Sequence, residues 1–478
     1  MALAAPADAR TSTPPSLRLI SSADSAVIHL YRNGEYEVDF SVFLAATGGA
    51  FELWRQRPTY DDPVTISQVV RDAAGDVIQT LPVTGLPEQT MSGGLPGFLT
   101  TKLTRRNGTP LKEKTRGFCL NGWEPERIDD TGPTVPTYPF FCGGSPFTRG
   151  LIEGIDRGWA SRARPSLGRN LNIDPGTYSL SVSIAEPYLT AFGIPAEDAV
   201  VTAPVSVVKS SAGPPVITAT SIVGSAKELT ERASAPIGTP PDSTLPDIEA
   251  LPAWGIQVDN RRRSGRSYLA FGATAWNAGP GRLVVEGFRD PASPTMTAFQ
   301  YFFDGAEPVN KLPAGELEYD NRDGHDHWHF KDFAAYSLLD SDKVKVLDSG
   351  KEAFCLAPTD PIDLTIAGAE WRPWLTNLNT ACGEENSLWI REVLDTGWGD
   401  TYAQYRPGQS FDITNLPNGT YYIRVLANPD DVLLEGSSSN NEALRKVKLH
   451  GKPGERWVAV PAYGLIDTEN GADCGYFC

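Results

Sequence analysis

Four landmarks occur twice in this chain, in the same order and at similar spacing, and such a duplication constrains the fold more than composition does. In the first set, Arg116-Gly117-Phe118-Cys119-Leu120 is followed 23 residues after its cysteine by Cys142-Gly143. Gly158-Trp159 and Pro175-Gly176-Thr177-Tyr178-Ser179-Leu180-Ser181-Val182 come next. The second set reads Glu352-Ala353-Phe354-Cys355-Leu356, then Cys382-Gly383 27 residues after its cysteine, then Gly397-Trp398 and Asn418-Gly419-Thr420-Tyr421-Tyr422-Ile423-Arg424-Val425. Gly-Thr-Tyr hairpin chemistry alone is common; the ordered set marks a tandem duplication of one β-sandwich unit. Short alternating runs such as Val27-Ile28-His29-Leu30-Tyr31 and Glu37-Val38-Asp39-Phe40-Ser41-Val42 agree, and long helical periodicity is scarce. The expected fold is all-β, with two tandem β-sandwich-like domains at 17–208 and 245–450. Residues 1–16 are expected to be disordered and 209–244 to be a linker rich in Pro, Ser and Thr, interrupted by a short helix near 226–232. Residues 451–478 form a C-terminal tail.

Charge and cysteine usage narrow the setting. A net charge of −17 disfavours nucleic acid and anionic membrane surfaces and suits cationic partners. No run of 18 apolar residues is present, so no membrane span is expected. The start, Met1-Ala2-Leu3-Ala4-Ala5-Pro6, lacks the basic region and apolar core of an intact signal peptide and is compatible with a processed remnant. Six cysteines fall into sequence-local pairs, Cys119/Cys142, Cys355/Cys382 and Cys474/Cys478, none of them a Cys-x-x-Cys. That usage favours disulfides in a secreted or cell-surface protein over a thiolate metal site. Closing the Cys355–Cys382 interval contributes about 3 kcal/mol in the chain-entropy model.

Chemistry concentrates in His325-Asp326-His327-Trp328-His329, which holds three of the five histidines. At i, i+2, i+4 spacing an extended strand puts three imidazoles on one face. Neutral imidazole suits copper or zinc, and a triad without carboxylates argues against calcium or magnesium there. The first copy has no counterpart to this triad.

The segment from Leu245 to Leu449 resembles the catalytic domain of lysyl oxidases, copper- and quinone-dependent amine oxidases. The three alternating histidines are followed by Phe333, Tyr336 and Leu338-Leu339-Asp340, matching the family's Phe-x-x-Tyr-x-Leu-Leu-Asp run with one residue fewer after His329. The resemblance implies copper at His325, His327 and His329. It also implies a lysine tyrosylquinone built from Lys351, in Gly350-Lys351-Glu352-Ala353-Phe354-Cys355-Leu356, and Tyr402, in Asp400-Thr401-Tyr402 ahead of Asp412-Ile413-Thr414. Tyr405 is the fallback for the tyrosine, and Asp400 matches the family's proposed general base. In the first copy the positions of Lys351 and Tyr402 are Thr115 and Ala163, so that copy reads as catalytically empty. A family calcium site carries over to Asp247, Ile248, Glu435, Asn440 and Asn441, with Ser437 where the family has an aspartate. The chain departs from the family in an insertion between Cys355 and Cys382 that includes Trp371-Arg372-Pro373-Trp374, and in lacking the cysteines that flank the family's tyrosine segment.

The implied activity is oxidative deamination of primary amines, peptidyl lysine of proteins or small amines, to aldehydes. It consumes molecular oxygen and releases hydrogen peroxide and ammonia. Two other readings keep the histidines without the quinone: a zinc-dependent hydrolase using a metal-bound water, and a non-catalytic copper-binding extracellular β protein.

Overall fold

The computed structural model describes residues 14–87, 89–91, 94–122, 125–210, 232–322, 326–349, 353–466 and 468. Strands dominate these residues, as the all-β expectation requires; the α-helix among them is the short Glu186–Phe192. The helix expected near 226–232 and the Cys474/Cys478 pair lie outside the described residues, except for Arg232.

The two halves repeat three strand orders. Ser16–Ser21, Val42–Thr47, Trp159–Arg162 and Glu126–Arg127 form one sheet in that order; Ile248–Ala250, Tyr268–Asn277, Trp398–Tyr402 and Asp360–Pro361 form its counterpart. Val200–Lys209, Gly176–Ile184, Leu95–Arg105 and Pro110–Phe118 correspond to Glu442–His450, Gly419–Ala427, Ala334–Leu339 and Lys345–Asp348. Gly150–Ile155, Phe51–Gln56, Thr65–Arg71 and Val77–Val83 correspond to Trp389–Leu394, Leu283–Phe288, Thr295–Asp304 and Glu307–Asp320. That last sheet continues in the second half only, through His327–Lys331 to Ala353–Phe354.

The repeated landmarks do the same work in each half. Tyr178 and Tyr421, opening the Gly-Thr-Tyr strands, each donate a hydroxyl hydrogen bond back four residues, to the carbonyls of Asp174 and Pro417. Both strands then bury alternate residues, as a half-covered sheet demands. Gly158 and Gly397 adopt φ of 77° and 89°, a turn that costs a glycine little. The tryptophans that follow them donate their indole N–H to Pro133 and Glu370, each inside a loop closed by a disulfide, Cys119–Cys142 or Cys355–Cys382.

The halves share a core. Tyr138 and Ile152 of the first half are buried in the cluster built around Trp328, Phe354, Trp398 and Phe411 of the second. The insertion is what docks them: Trp371 stacks on Tyr138 at 5.7 Å, Arg372 lies 3.7 Å over the Phe140 ring and donates to the Pro136 carbonyl, and Trp374 meets Phe141 at 6.0 Å. Main chains also pair directly, Leu364 N–H donating to the Gly150 carbonyl at 2.9 Å. A Cβ on Gly150 would stand 2.0 Å from Asp363 Oδ1, so only glycine permits this approach. Residues 232–244 run along the second half: Arg232 covers Phe288 and Trp389, and Lys311 N–H donates to the Pro236 carbonyl. The tail adds the strand Trp457–Ala459 to Glu442–His450 and then crosses back, Leu465 N–H donating to Tyr60 of the first half.

Candidate active site

The histidine strand runs His327–Lys331 and pairs with Glu307–Asp320 on one edge and Ala353–Phe354 on the other. His327 and His329 share a face as their spacing requires, ring centroids 4.7 Å apart at 65°. Asp326, just before the strand, has φ of 44°, a left-handed conformation that aspartate tolerates. His325 and Lys351 lie outside the described residues. His329 is fully buried, and Asp320, which pairs across the ladder with His327, brings Oδ2 to 3.4 Å from His329 Nδ1. Arg322 in turn grips both Asp320 oxygens. A carboxylate at Nδ1 leaves Nε2 as the nitrogen offered to a metal and orients the ring. Imidazoles backed by a carboxylate make a donor set that fits copper or zinc.

Tyr402 ends the strand Trp398–Tyr402, with Asp400 two residues earlier on the same face. The neighbouring strand sets alanines opposite them, Ala275 against Asp400 and Ala273 against Tyr402, which leaves room for both side chains. Thr401 points the other way, its hydroxyl 2.6 Å from that of Thr274. The Tyr402 hydroxyl accepts from Cys355 N–H at 3.1 Å and donates to the Cys355 carbonyl at 3.3 Å, and its ring meets Phe354 edge-on at 4.9 Å. Cys355 stands four residues after Lys351 in the chain. At the other end of the disulfide, the Cys382 carbonyl accepts from Trp328 N–H, between the two histidines. The Cys355–Cys382 bridge therefore joins the histidine strand to the residue that holds Tyr402.

Burial drives the Tyr402 phenol well above its ordinary pKa, and the charges of Asp400 and Glu392 and the nearby Tyr336 add to it. Glu392, on Trp389–Leu394, is fully buried and pushed well above the usual carboxylate range by that burial. Its Oε2 accepts from Leu356 N–H at 3.0 Å, while Oε1 is buried without a hydrogen-bond partner among the described residues. Glu392 also approaches both sulfurs of the disulfide, which as a closed bridge offers no thiolate to a metal. A phenol so placed keeps its proton. Tyr405, the fallback, is 62% exposed. Sequence reasoning missed Asp320 and Glu392. The ladder partner of a histidine strand was the signal for Asp320, and no local pattern marks Glu392.

The five residues read as a calcium site come together. Asp247 accepts from Ser437 N–H and from the Asn440 amide, both at 3.1 Å. Glu435 accepts from Ile248 N–H at 2.8 Å and from the amides of Asn428 and Asn441 at 2.6 and 2.8 Å. The side-chain oxygens of Asn440 and Asn441 are buried without a hydrogen-bond partner among the described residues. Glu249, unanticipated, adds a carboxylate that accepts from Asn440. An oxygen-only cluster with two idle amide oxygens fits a hard cation.

Among known proteins, residues 308–458 match the family model for lysyl oxidase. Protein-lysine 6-oxidase of Rattus norvegicus is 30% identical over 129 residues, 27% of this chain and 28% of that protein. Protein-lysine 6-oxidase of Gallus gallus is 31% identical over 119 residues, 24% of each. Lysyl oxidase homolog 3A of Danio rerio is 30% identical over 128 residues, 27% of this chain and 15% of that protein. The chain thus matches under a third of the length of each of these relatives, and the family-model range 308–458 spans the positions of all three histidines, Lys351, Asp400 and Tyr402. No helix among the described residues is long and apolar enough to cross a membrane.

Proposed function

We propose that this chain, whose residues 308–458 match lysyl oxidase, oxidatively deaminates primary amines to aldehydes outside the cell, with lysine side chains of proteins or peptides as the substrate class. One observation carries the reading. A single disulfide joins the strand of His327 and His329 to the backbone that grips Tyr402, four residues along the chain from Lys351. In this reading His325, His327 and His329 hold copper, and Lys351 and Tyr402 furnish lysine tyrosylquinone. Bound copper would activate the phenol toward molecular oxygen, which is the oxidant and the source of the added oxygen, and the quinone would supply the carbonyl and electron sink for the amine.

The chain's own side chains do the rest. Cys355 fixes the Tyr402 hydroxyl, and Phe354 fixes its ring against rotation. In this reading Asp400, buried and on the Tyr402 face of the strand, takes the proton from the substrate carbon next to nitrogen. Burial removes competing water from both residues. Two closed disulfides agree with an oxidising, extracellular setting.

The test is spectroscopic. Copper-reconstituted, air-aged protein treated with phenylhydrazine is expected to develop a visible hydrazone band that protein kept free of copper does not show. Full metal occupancy with no band sinks the quinone and leaves the zinc hydrolase or the non-catalytic metal protein. We also assign calcium to Asp247, the Ile248 carbonyl, Glu435, Asn440 and Asn441. Calcium at about a hundredfold above its Kd then raises unfolding free energy by about 2.7 kcal/mol, read as a higher urea midpoint than in chelator. A midpoint that does not move, or that moves equally in Asp247→Asn, rejects the site.

A further inference from the structure

Beside the strand of Tyr402 the chain builds a groove of about 810 Å³ that nothing above uses. One wall is the loop that follows Tyr402, Gln404 to Pro407; the other is the turn after the strand Trp254–Asp259, with Asn260, Arg261 and Arg262. Tyr268, Ala270 and Ser410 line it from two paired strands, Tyr268–Asn277 and Ser410–Asp412.

Its charge is opposite to that of the molecule. The chain carries −17, yet this groove presents Arg261, Arg262 and Arg406 against the single carboxylate of Asp259. Asp259 Oδ1 is engaged by the turn itself, accepting from Arg261 N–H at 2.7 Å and Arg262 N–H at 3.2 Å. Among the described residues none of the three guanidiniums pairs with a carboxylate, whereas the neighbouring Arg266 does, with Asp412. Two of them are already oriented. Arg262 lies 5.1 Å over the Tyr268 ring and donates to the Ser410 hydroxyl at 3.1 Å, and Arg406 lies 5.7 Å over the ring of exposed Tyr405. A guanidinium held in place loses less entropy on gripping a carboxylate, and its planar fork matches one.

We propose that this groove binds a carboxylate-rich peptide segment. The proposal rests on the groove alone and is independent of the amine-oxidase reading. Position supports it. Arg261 and Arg262 stand on one wall and Arg406 on the other, so a peptide lying between them meets guanidiniums on both sides, while Tyr268 and Ala270 between the walls lie on the face of their strand opposite to Ala273, the partner of Tyr402. Composition supports it too: Gln257 and Gln404 offer amides to a peptide main chain, while the Asn260 amide is held by Arg456 and Ser267. The surrounding negative surface repels a long uniform polyanion and leaves a short acidic stretch as the guest that fits.

The experiment uses the full chain and a fluorescent, N-acetylated peptide rich in Glu and Asp and free of lysine, so binding is read whether or not any amine is oxidised. Anisotropy is expected to show saturable binding that weakens as salt rises and is absent for the same peptide with Gln and Asn in place of its acids. The Arg261→Ala/Arg406→Ala double variant, altered only at exposed side chains, is expected to bind at least about tenfold more weakly, while Lys446→Ala, on a distant strand, binds as the wild type does. No saturable binding, equal loss in Lys446→Ala, or unchanged binding in the double variant overturns the proposal. Dextran sulfate or single-stranded DNA competing better than the unlabelled peptide overturns the peptide assignment. Failure of the oxidase reading is separately visible as the missing hydrazone band.

Discussion

Tyr402→Phe is expected to abolish amine oxidation, by at least about a thousandfold, because the substitution deletes the only oxygen from which that ring could become a quinone. The hydrazone band disappears with it. The change removes one atom and keeps the ring against Phe354, so the fold survives at a cost that follows from two hydrogen bonds: Cys355 N–H and C=O lose their partner in a buried place. Unsatisfied buried backbone groups cost about 1–3 kcal/mol, which a urea titration resolves without unfolding the chain in native buffer. Copper content should be unchanged if the histidines alone hold the metal, and this separates loss of chemistry from loss of the site. Retention of more than about a tenth of the activity in a folded, copper-loaded Tyr402→Phe protein would remove Tyr402 from the mechanism and turn attention to Tyr405.

The largest stability effect is expected far from that tyrosine, at Glu52. Its carboxylate is 1% exposed and takes four hydrogen bonds: two from Arg71, at 2.7 and 2.8 Å, one from the Trp54 indole at 2.6 Å and one from the Tyr138 hydroxyl at 2.9 Å. Glu52→Ala strands a guanidinium and two ring donors at once, and removing one partner of a buried ion pair costs about 3–5 kcal/mol. The damage reaches the second half, because Tyr138 stacks on Trp371 and Arg71 lies 5.4 Å over the same indole. Trp371 belongs to the loop closed by Cys355–Cys382, so the first half braces the loop that holds Tyr402. Urea unfolding followed by tryptophan fluorescence and by far-UV circular dichroism should shift together by that amount. A loss under about 1 kcal/mol, or a transition in which the halves separate, would show that the shared core does not couple them.

What the chain's residues determined unaided is what depends on short intervals. The period-2 runs specify strands, the doubled Phe-Cys-Leu, Cys-Gly, Gly-Trp and Gly-Thr-Tyr landmarks specify two like sets of sheets, and the cysteine intervals specify two bridges. The spacing of His327 and His329 puts two imidazoles on one face wherever that strand lies. Tertiary structure alone decided which distant segments share a wall. Asp320 reaches His329 only because of the hairpin register, Glu392 reaches the disulfide from a strand that pairs elsewhere, and Tyr402 finds Cys355 across 47 residues. The insertion that interrupts the family spacing acts as a clamp on the first half. The physical reason is common to all of these. Local propensity sets φ, ψ and side-chain period, whereas the partner of a buried carboxylate or phenol is set by long-range packing, which no interval in the chain encodes.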